Sequence, residues 1–373
     1  MKGEMKRIVC LSLLCALCGT FISSAYSVQT GASFLKIVPG ARTVAMGESA
    51  VATTENIYAV YSNPAGLTQL TGPEVSFMYN FWFQKINYQF LAFALPTQPG
   101  TFAGNLVRLG TNNFPGYDAQ GKETTLINSS DYALTLSYAR TLFSTPTQRF
   151  SLGLNAKLLR ETLADATAYG YAFDTGLLYK LGQEFDLNEF SAGVLLQHFG
   201  KGYTFDKEIV PLPSTLRLGI GYKQEILGNS AIAEIGTVIP KDTPPYLCFG
   251  IECCLYKMLA LRLGYRTRQS LGSGLRAGIG ITLRLPKNKK IQFDYAWTGF
   301  AILGDTHQVC LTYSFNQEEK KSLTSQTHFQ KGVEYFENGE YYRAIIEFGK
   351  VLQTKPGDKK ALEMLKRTNE KLQ

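Results

Sequence analysis

Six cations, Arg217, Lys223, Arg262, Arg266, Arg276 and Arg284, share one kind of position. Each falls on the polar side of a segment in which apolar and polar residues alternate. Cations gathered on one inner surface favour anions in a pore, so they form a candidate site for a carboxylate or phosphate head group. The other reading pairs them with acids such as Asp294 and Glu225 and with water. No other chemistry is spelled out. The histidines His198, His307 and His328 are far apart, and Cys248, Cys253, Cys254 and Cys310 form no Cys-x-x-Cys pair. There is no Ser/His/Asp or Cys/His arrangement, no phosphate loop and no metal set. The sequence therefore predicts no enzyme, no cofactor and no metal.

Strands must position these cations. In "YALTLSYARTL" Tyr132, Leu134, Leu136 and Tyr138 share one face, and Ala133, Thr135, Ser137 and Ala139 share the other. In "LRAGIGITLR" Leu275, Ala277, Ile279, Ile281 and Leu283 alternate with Arg276, Gly278, Gly280, Thr282 and Arg284. A period of two is the signature of a strand with two different surroundings. Segments of this kind fall at 74–83, 85–95, 101–109, 132–142, 150–160, 168–181, 189–198, 215–226, 231–239, 245–256, 259–267, 275–284, 290–298 and 306–315. That is about 14 strands, each near the roughly 9–11 residues a tilted strand needs to cross a bilayer. With 35 Gly, 21 Tyr and 23 Phe but only 18% charged residues, the composition suits lipid outside and small or polar side chains inside. The predicted fold is all-β: a transmembrane antiparallel β-barrel of about 14 strands. A soluble β-sandwich also alternates, but it leaves the strand length and the glycine-rich second face unexplained. Gln84 and Lys257-Met258 are predicted to be periplasmic turns, and residues 110–131, 161–167 and 199–214 outer loops.

Residues 1–27 have the form of a secretory leader. Lys2, Lys6 and Arg7 precede an apolar run from Ile8 to Ile22, and Ser23-Ser24-Ala25 offers small residues for cleavage. Losing three cations and one anion with it lowers the formal charge from +8 to +6. The remaining charge is spread out, without clusters of Lys/Arg interleaved with aromatics, so nucleic acid is not an expected partner. The expected location is the outer membrane.

Ahead of the first strand stands "GARTVAMGESAVATTENIYAVYSNPAGL", residues 40–67. Gly47, Ala50, Ala52 and above all Asn63, Pro64, Ala65, Gly66 and Leu67, followed by such a barrel, resemble the FadL-type long-chain fatty acid transporter family. They are also similar to the PorV-like barrels of a secretion system. In both, the resemblance implies that this stretch is an N-terminal hatch plugging the barrel. It also implies a hydrophobic solute, such as a fatty acid, as one partner and outer-membrane lipid as another. Physically, Pro64 stiffens the turn and Asn63 can bond its own backbone. Tyr58, Val60, Tyr61, Leu67 and Leu70 are expected to offer a greasy surface to a solute. The plain alternative is a turn before the first strand.

The tail is a separate unit. "HFQKGVEYFENGEYYRAIIEFGKVLQTKP" places Gly332, Tyr335, Ala344, Phe348 and Pro356 at the offsets of one tetratricopeptide-like repeat. A single repeat leaves part of its face uncovered. Tyr335, Tyr342, Ile345 and Phe348 are expected to be poorly covered, which points to a periplasmic protein partner for residues 326–373. The expected organisation is thus leader 1–27, hatch 28–73, barrel 74–315, linker 316–325 and a small helical repeat 326–373.

Overall fold

The structure, a computed structural model, describes residues 29–373 apart from 84–85, 112–113, 119, 146, 165, 183–187, 206–207, 227–228, 270, 316–324, 355–356 and 373. The leader, Gln84, Pro356 and nearly all of the linker lie outside the described residues.

Fourteen antiparallel strands close into a barrel. They are β1 Glu74–Phe81, β2 Asn87–Pro96, β3 Thr101–Gly110, β4 Ser129–Ser144, β5 Gln148–Leu163, β6 Ala166–Gly182 and β7 Asn188–Phe199. The second half is β8 Thr215–Ile226, β9 Asn229–Pro240, β10 Tyr246–Leu255, β11 Leu259–Arg266, β12 Leu275–Leu285, β13 Lys289–Gly299 and β14 Asp305–Ser314. Each strand pairs with its sequence neighbours. β14 closes the ring on β1, from Glu74 opposite Ser314 to Phe81 opposite His307. Closure removes the free edges that an open sheet would expose.

The alternation sets the two surfaces. Phe77, Leu91, Leu134, Leu158, Ile251 and Leu263 are exposed around the outside. Their strand neighbours Ser76, Ala92, Thr135, Lys157, Glu252 and Arg262 are buried in the lumen. A continuous apolar exterior on a closed barrel is a surface for lipid, not water.

Three details differ from the sequence expectation. First, β4 and β5 run 16 residues each and β6 runs 17. The expected outer loop 161–167 is mostly ladder, with Thr162 opposite Thr167. Its pattern turns polar where it would leave the lipid, so apolar alternation undercounts the strand. Second, the expected loops 110–131 and 199–214 carry hairpins of their own, pairing Phe114–Tyr117 with Glu123–Ile127 and Tyr203–Phe205 with Glu208–Val210. Third, strand direction puts Trp82 and Ile86, on either side of Gln84, at the same end as those hairpins. The Lys257-Met258 turn is at the opposite end. The two ends are called here the long-loop end and the short-turn end.

Residues 29–73 occupy the lumen as short helical pieces: turns of 3-10 helix at Ser33–Lys36 and Pro64–Gln69, α1 Ala41–Ala45 and α2 Ala59–Ser62. Beyond the barrel, α3 Ser325–Glu337, α4 Tyr341–Thr354 and α5 Lys359–Glu370 form the tail. Phe348 of α4 is fully buried. A Cβ on Gly332 would come within 2.6 Å of its ring, so the glycine admits it, and Phe329 packs alongside. The expectation that Phe348 is poorly covered is therefore corrected, because the α3–α4 pair closes over it. Ala344 is likewise buried, Tyr335 and Ile345 are half-buried, and Tyr342 and Ile346 remain exposed.

Candidate functional site

An irregular segment inside a barrel must find partners for its own backbone polar groups. Wall side chains supply them. Asn155 donates to Val60 O (2.8 Å), Gln197 to Tyr61 O (2.7 Å), Tyr88 to Ile37 O (3.1 Å) and Gln308 to Val38 O (3.2 Å). The carboxylate of Glu234 in β9 accepts the N–H groups of Val51 (2.7 Å), Ala52 (3.0 Å) and Thr53 (3.0 Å), together with the Thr53 hydroxyl.

The glycine-rich inner face is a seat for this plug. A Cβ on Gly153 would lie 2.2 Å from Ala65 N, and one on Gly176 would lie 2.2 Å from Asn63 Oδ1. On Gly193 it would lie 2.4 Å from Val51 O, and on Gly264 2.0 Å from Gly47 N. The Asn63-Pro64-Ala65 turn is thus pressed against β5 and β6. Asn63 accepts the Ala65 N–H at 3.1 Å and donates to Val51 O (2.9 Å) and to Leu177 O of the wall (3.0 Å). Gly66 and Leu67 are buried in the following turn.

The expected greasy surface for a solute is not open. Tyr58, Val60, Tyr61, Leu67 and Leu70 are all buried. Tyr58 stacks on Phe90 of β2, with ring centres 5.3 Å apart, and meets Ser76 through its hydroxyl at 2.7 Å. The barrel wall already occupies this surface.

Five of the six expected lumen cations meet acids or carbonyls. Arg276 and Arg266 grip Glu48 of the plug at 2.9 and 3.2 Å, and Arg217 reaches the Glu48 carbonyl at 3.5 Å. Lys223 meets Glu55 at 3.1 Å. Arg262 joins Glu252 (2.5 Å) and Asp294 (2.6 Å), and Arg42 of α1 binds the same Glu252 at 2.8 Å. Arg284 stands apart, exposed near the Lys287-Asn288 turn. The sequence reading did not pick out Glu48, Glu55, Glu234, Glu252 or Arg42. Glu234 and Glu252 did carry a signal, since they too sit on the inward side of alternating strands. A further buried group, Lys157 with Asp174 (2.6 Å) and His198 (3.0 Å), lies where β7 bulges against β6.

Glu48 itself has a left-handed backbone (φ 67°), following Gly47 (φ 69°). Burial disfavours its charge, but Arg276, Arg266 and Arg217 outweigh burial and hold its carboxyl below the usual range. A carboxylate with a depressed folded pKa contributes stability above its unfolded value, roughly 4.3, and loses it as pH falls through the folded value. Acidification from neutral to below that point is therefore expected to loosen the plug. Ion conductance of the purified barrel in a planar bilayer should rise, and Glu48→Gln should weaken that pH response, the remainder coming from the other plug-to-wall pairs, Arg42 with Glu252 and Glu55 with Lys223. An identical acid response in Glu48→Gln would contradict the assignment.

Beside the plug, at the long-loop end, lies a cavity of about 220 Å³. Its apolar lining comes from Ile37, Val38 and Val44 of the plug and from Ala296, Trp82 and Phe300 of the wall. Trp82, Phe83 and Phe300 form an aromatic trio at its lip, with ring centres 5.3–5.7 Å apart. Polar groups line the rest: Asn80, Thr298, Thr306 and Gln308, with the charged Lys36, Glu48, Arg266 and Arg276. Asn80 Oδ1, Gln308 Oε1 and Arg276 Nε are buried without a hydrogen-bond partner among the described residues.

No family model matches the chain, and no curated protein does. Solved structures do. The toluene transporter TodX of Pseudomonas putida aligns with a TM-score of 0.52 at 14% identity, over 74% of this chain and 98% of that one. The toluene transporter TbuX of Ralstonia pickettii gives 0.49 at 14%, over 74% and 97%. A Pseudomonas aeruginosa FadL homologue gives 0.44 at 9%, over 76% and 99%. What this chain shares with TodX is the fold. It extends over nearly the whole of that barrel, and the 14-strand expectation is met.

Proposed function

We propose that this chain is an outer-membrane barrel that takes up small hydrophobic molecules, fatty acids among them, through the cavity beside the plug. The cavity carries the reading. A concave site that joins apolar walls to convergent polar groups is the usual form of a small-molecule site, and this one pairs aromatic and aliphatic side chains with Arg266 and Arg276. A cavity of roughly 150 Å³ already holds benzene, and this one is about 220 Å³. The shared fold of TodX, named as a toluene transporter, supports a hydrophobic cargo.

Arg266 and Arg276 border the cavity, so the anion-binding role narrows to these two. A carboxylate arriving there competes with Glu48 for them. Arg217, Lys223 and Arg262 are plug- or wall-holding groups, and Arg284 is a surface group. A long acyl chain outreaches the cavity, so its passage requires the plug to yield. In this reading the leader 1–27 is removed on export, the long-loop end faces outward and the short-turn end faces the periplasm.

Uptake by cells tests the proposal. Thr298 is buried on β13 and lines the cavity. A phenyl ring there takes the space a ligand would fill, and losing about 1.4 kcal/mol of binding is tenfold. Thr298→Phe is expected to lower uptake of a labelled aromatic hydrocarbon by about that factor while the barrel still assembles. Unchanged uptake contradicts the cavity as the route.

A second reading, a PorV-like barrel that mainly binds proteins, is favoured by one observation. Tyr342, Ile346 and Leu362 of the tail are exposed. We propose the tail as a single tetratricopeptide-like repeat built on Gly332, Tyr335, Ala344, Phe348 and Pro356, facing a periplasmic protein. Deleting residues 325–373 should spare barrel assembly and uptake but lose a co-purifying protein. If the protein composition of the purified complex is the same with and without the tail, this role fails.

A further inference from the structure

We propose that the outward face of β3–β6 binds the phosphate head group of a membrane lipid from the leaflet at the long-loop end. The inference needs only the membrane barrel and is independent of the transport reading.

Strand register carries it. Arg108 of β3 stands opposite Tyr132 of β4, Tyr132 opposite Arg160 of β5, and Arg160 opposite Tyr169 of β6. Four adjacent strands thus present one outward row, Arg–Tyr–Arg–Tyr. The row next to it toward the middle of the barrel is Leu106, Leu134, Leu158 and Tyr171, all exposed outward. The row next to it toward the loops is Gly110, Ser130, Thr162 and Thr167, where Thr162 and Thr167 bond to each other at 3.2 Å. The arginines therefore stand where the apolar band gives way to polar surface, the depth of lipid head groups.

The chemistry fits a phosphate. Arg108 Nε donates to the Tyr132 hydroxyl at 3.1 Å, and its guanidinium lies over Gly110 on the loop side of the row. Neighbouring strands lie about 4.8 Å apart, so the Arg108 and Arg160 backbones are roughly 10 Å apart. Two long side chains at that spacing reach one phosphate or two on the same head group. Guanidinium groups match phosphate geometry closely. The outward residues of β3–β6 include no Asp or Glu. The acids next to them in sequence, Asp131 and Glu161, stand opposite each other one residue off this row, so they turn inward. A lipid is favoured over a free anion because the leucine row directly beneath receives its acyl chains.

The test uses the full-length protein, gently extracted and analysed by native mass spectrometry. The probes are a diphosphorylated glucosamine-based lipid, phosphatidylglycerol, a neutral diacylglycolipid and inorganic phosphate. The parent barrel should retain one or both phosphorylated lipids and release the neutral one. Loss of a charge-assisted bond should weaken retention about tenfold for each arginine. The Arg108→Gln/Arg160→Gln double variant should therefore retain roughly a hundredfold less, and Arg108→Lys/Arg160→Lys an intermediate amount. Both replaced side chains point away from the plug, and heat-modifiable migration checks assembly. Should the double variant fail to assemble, Arg160→Gln alone gives the tenfold comparison. The proposal is overturned if the glutamine variants retain as much as the parent. It is also overturned if the neutral lipid is retained equally, or if millimolar inorganic phosphate displaces the lipid completely.

Discussion

A barrel carrying Gly153→Val and Gly264→Val is expected to assemble, to migrate as a heat-modifiable species and to leak ions that the parent barrel holds back. At both positions the new Cβ would fall on plug backbone, 2.2 Å from Ala65 N and 2.0 Å from Gly47 N. Those atoms belong to a buried main chain and cannot swing aside as a side-chain tip would. Meanwhile the strand ladder closes without the plug, since β1 pairs directly with β14. The wall keeps its hydrogen bonds and the plug loses its seat. Barrels of about eight strands are filled by their own side chains, whereas those of 16–18 leave an aqueous channel. An unplugged ring of 14 is therefore expected to conduct. Gly104→Ala is the control, because its Cβ would have nothing nearer than 3.5 Å. Single-channel recording in planar bilayers reads the difference. A closed double variant that still protects its plug from protease would show that the seat tolerates side chains.

The second large effect is expected at Glu234. This one carboxylate satisfies three consecutive backbone N–H groups of the plug, those of Val51, Ala52 and Thr53. Glu234→Ala leaves all three without their acceptor, and each buried donor so abandoned costs about 1–3 kcal/mol. Water reaching the site recovers part of that cost. A loss of even 1.4 kcal/mol is about tenfold in the seated population. A cysteine introduced by Ala52→Cys should accordingly react with a small thiol reagent at least about tenfold faster in Glu234→Ala than in the parent. Glu234→Gln, which keeps one acceptor oxygen, should fall between them. Equal rates in all three would mean that other contacts hold the plug.

The strands were legible because lipid and lumen impose opposite demands on alternate residues. Thr135 and Ser137 could be told from Leu134 and Leu136 without any partner strand in view. The ladder beyond Arg160 was not legible, because outside the lipid the two faces become equally polar and the alternation fades. The plug could be located by its Asn63-Pro64-Ala65 turn, but not its contacts. Glu48 and Arg276 are 228 positions apart, and no local spacing announces such a pair. The same limit explains the misjudged greasy surface. Tyr58 and Val60 are apolar because the wall packs on them, and a sequence cannot distinguish that from waiting for a solute. The inward glycines were visible as a pattern, and only the structure assigns Gly153, Gly176, Gly193 and Gly264 to a close backbone approach.

The central claim, that a hydrophobic molecule lodges beside the plug at the long-loop end, has a built-in reporter. The chain has two tryptophans, Trp82 and Trp297. Trp82 lines the cavity, and Trp297 lies on the outward face of β13. In a Trp297→Phe barrel all tryptophan emission comes from Trp82. Titrating that barrel in detergent with a brominated aromatic hydrocarbon should give saturable quenching, which is lost when Thr298→Phe fills the cavity. Quenching that grows linearly with added hydrocarbon, and equally in both barrels, would mean that the compound only partitions into detergent, and would contradict the account.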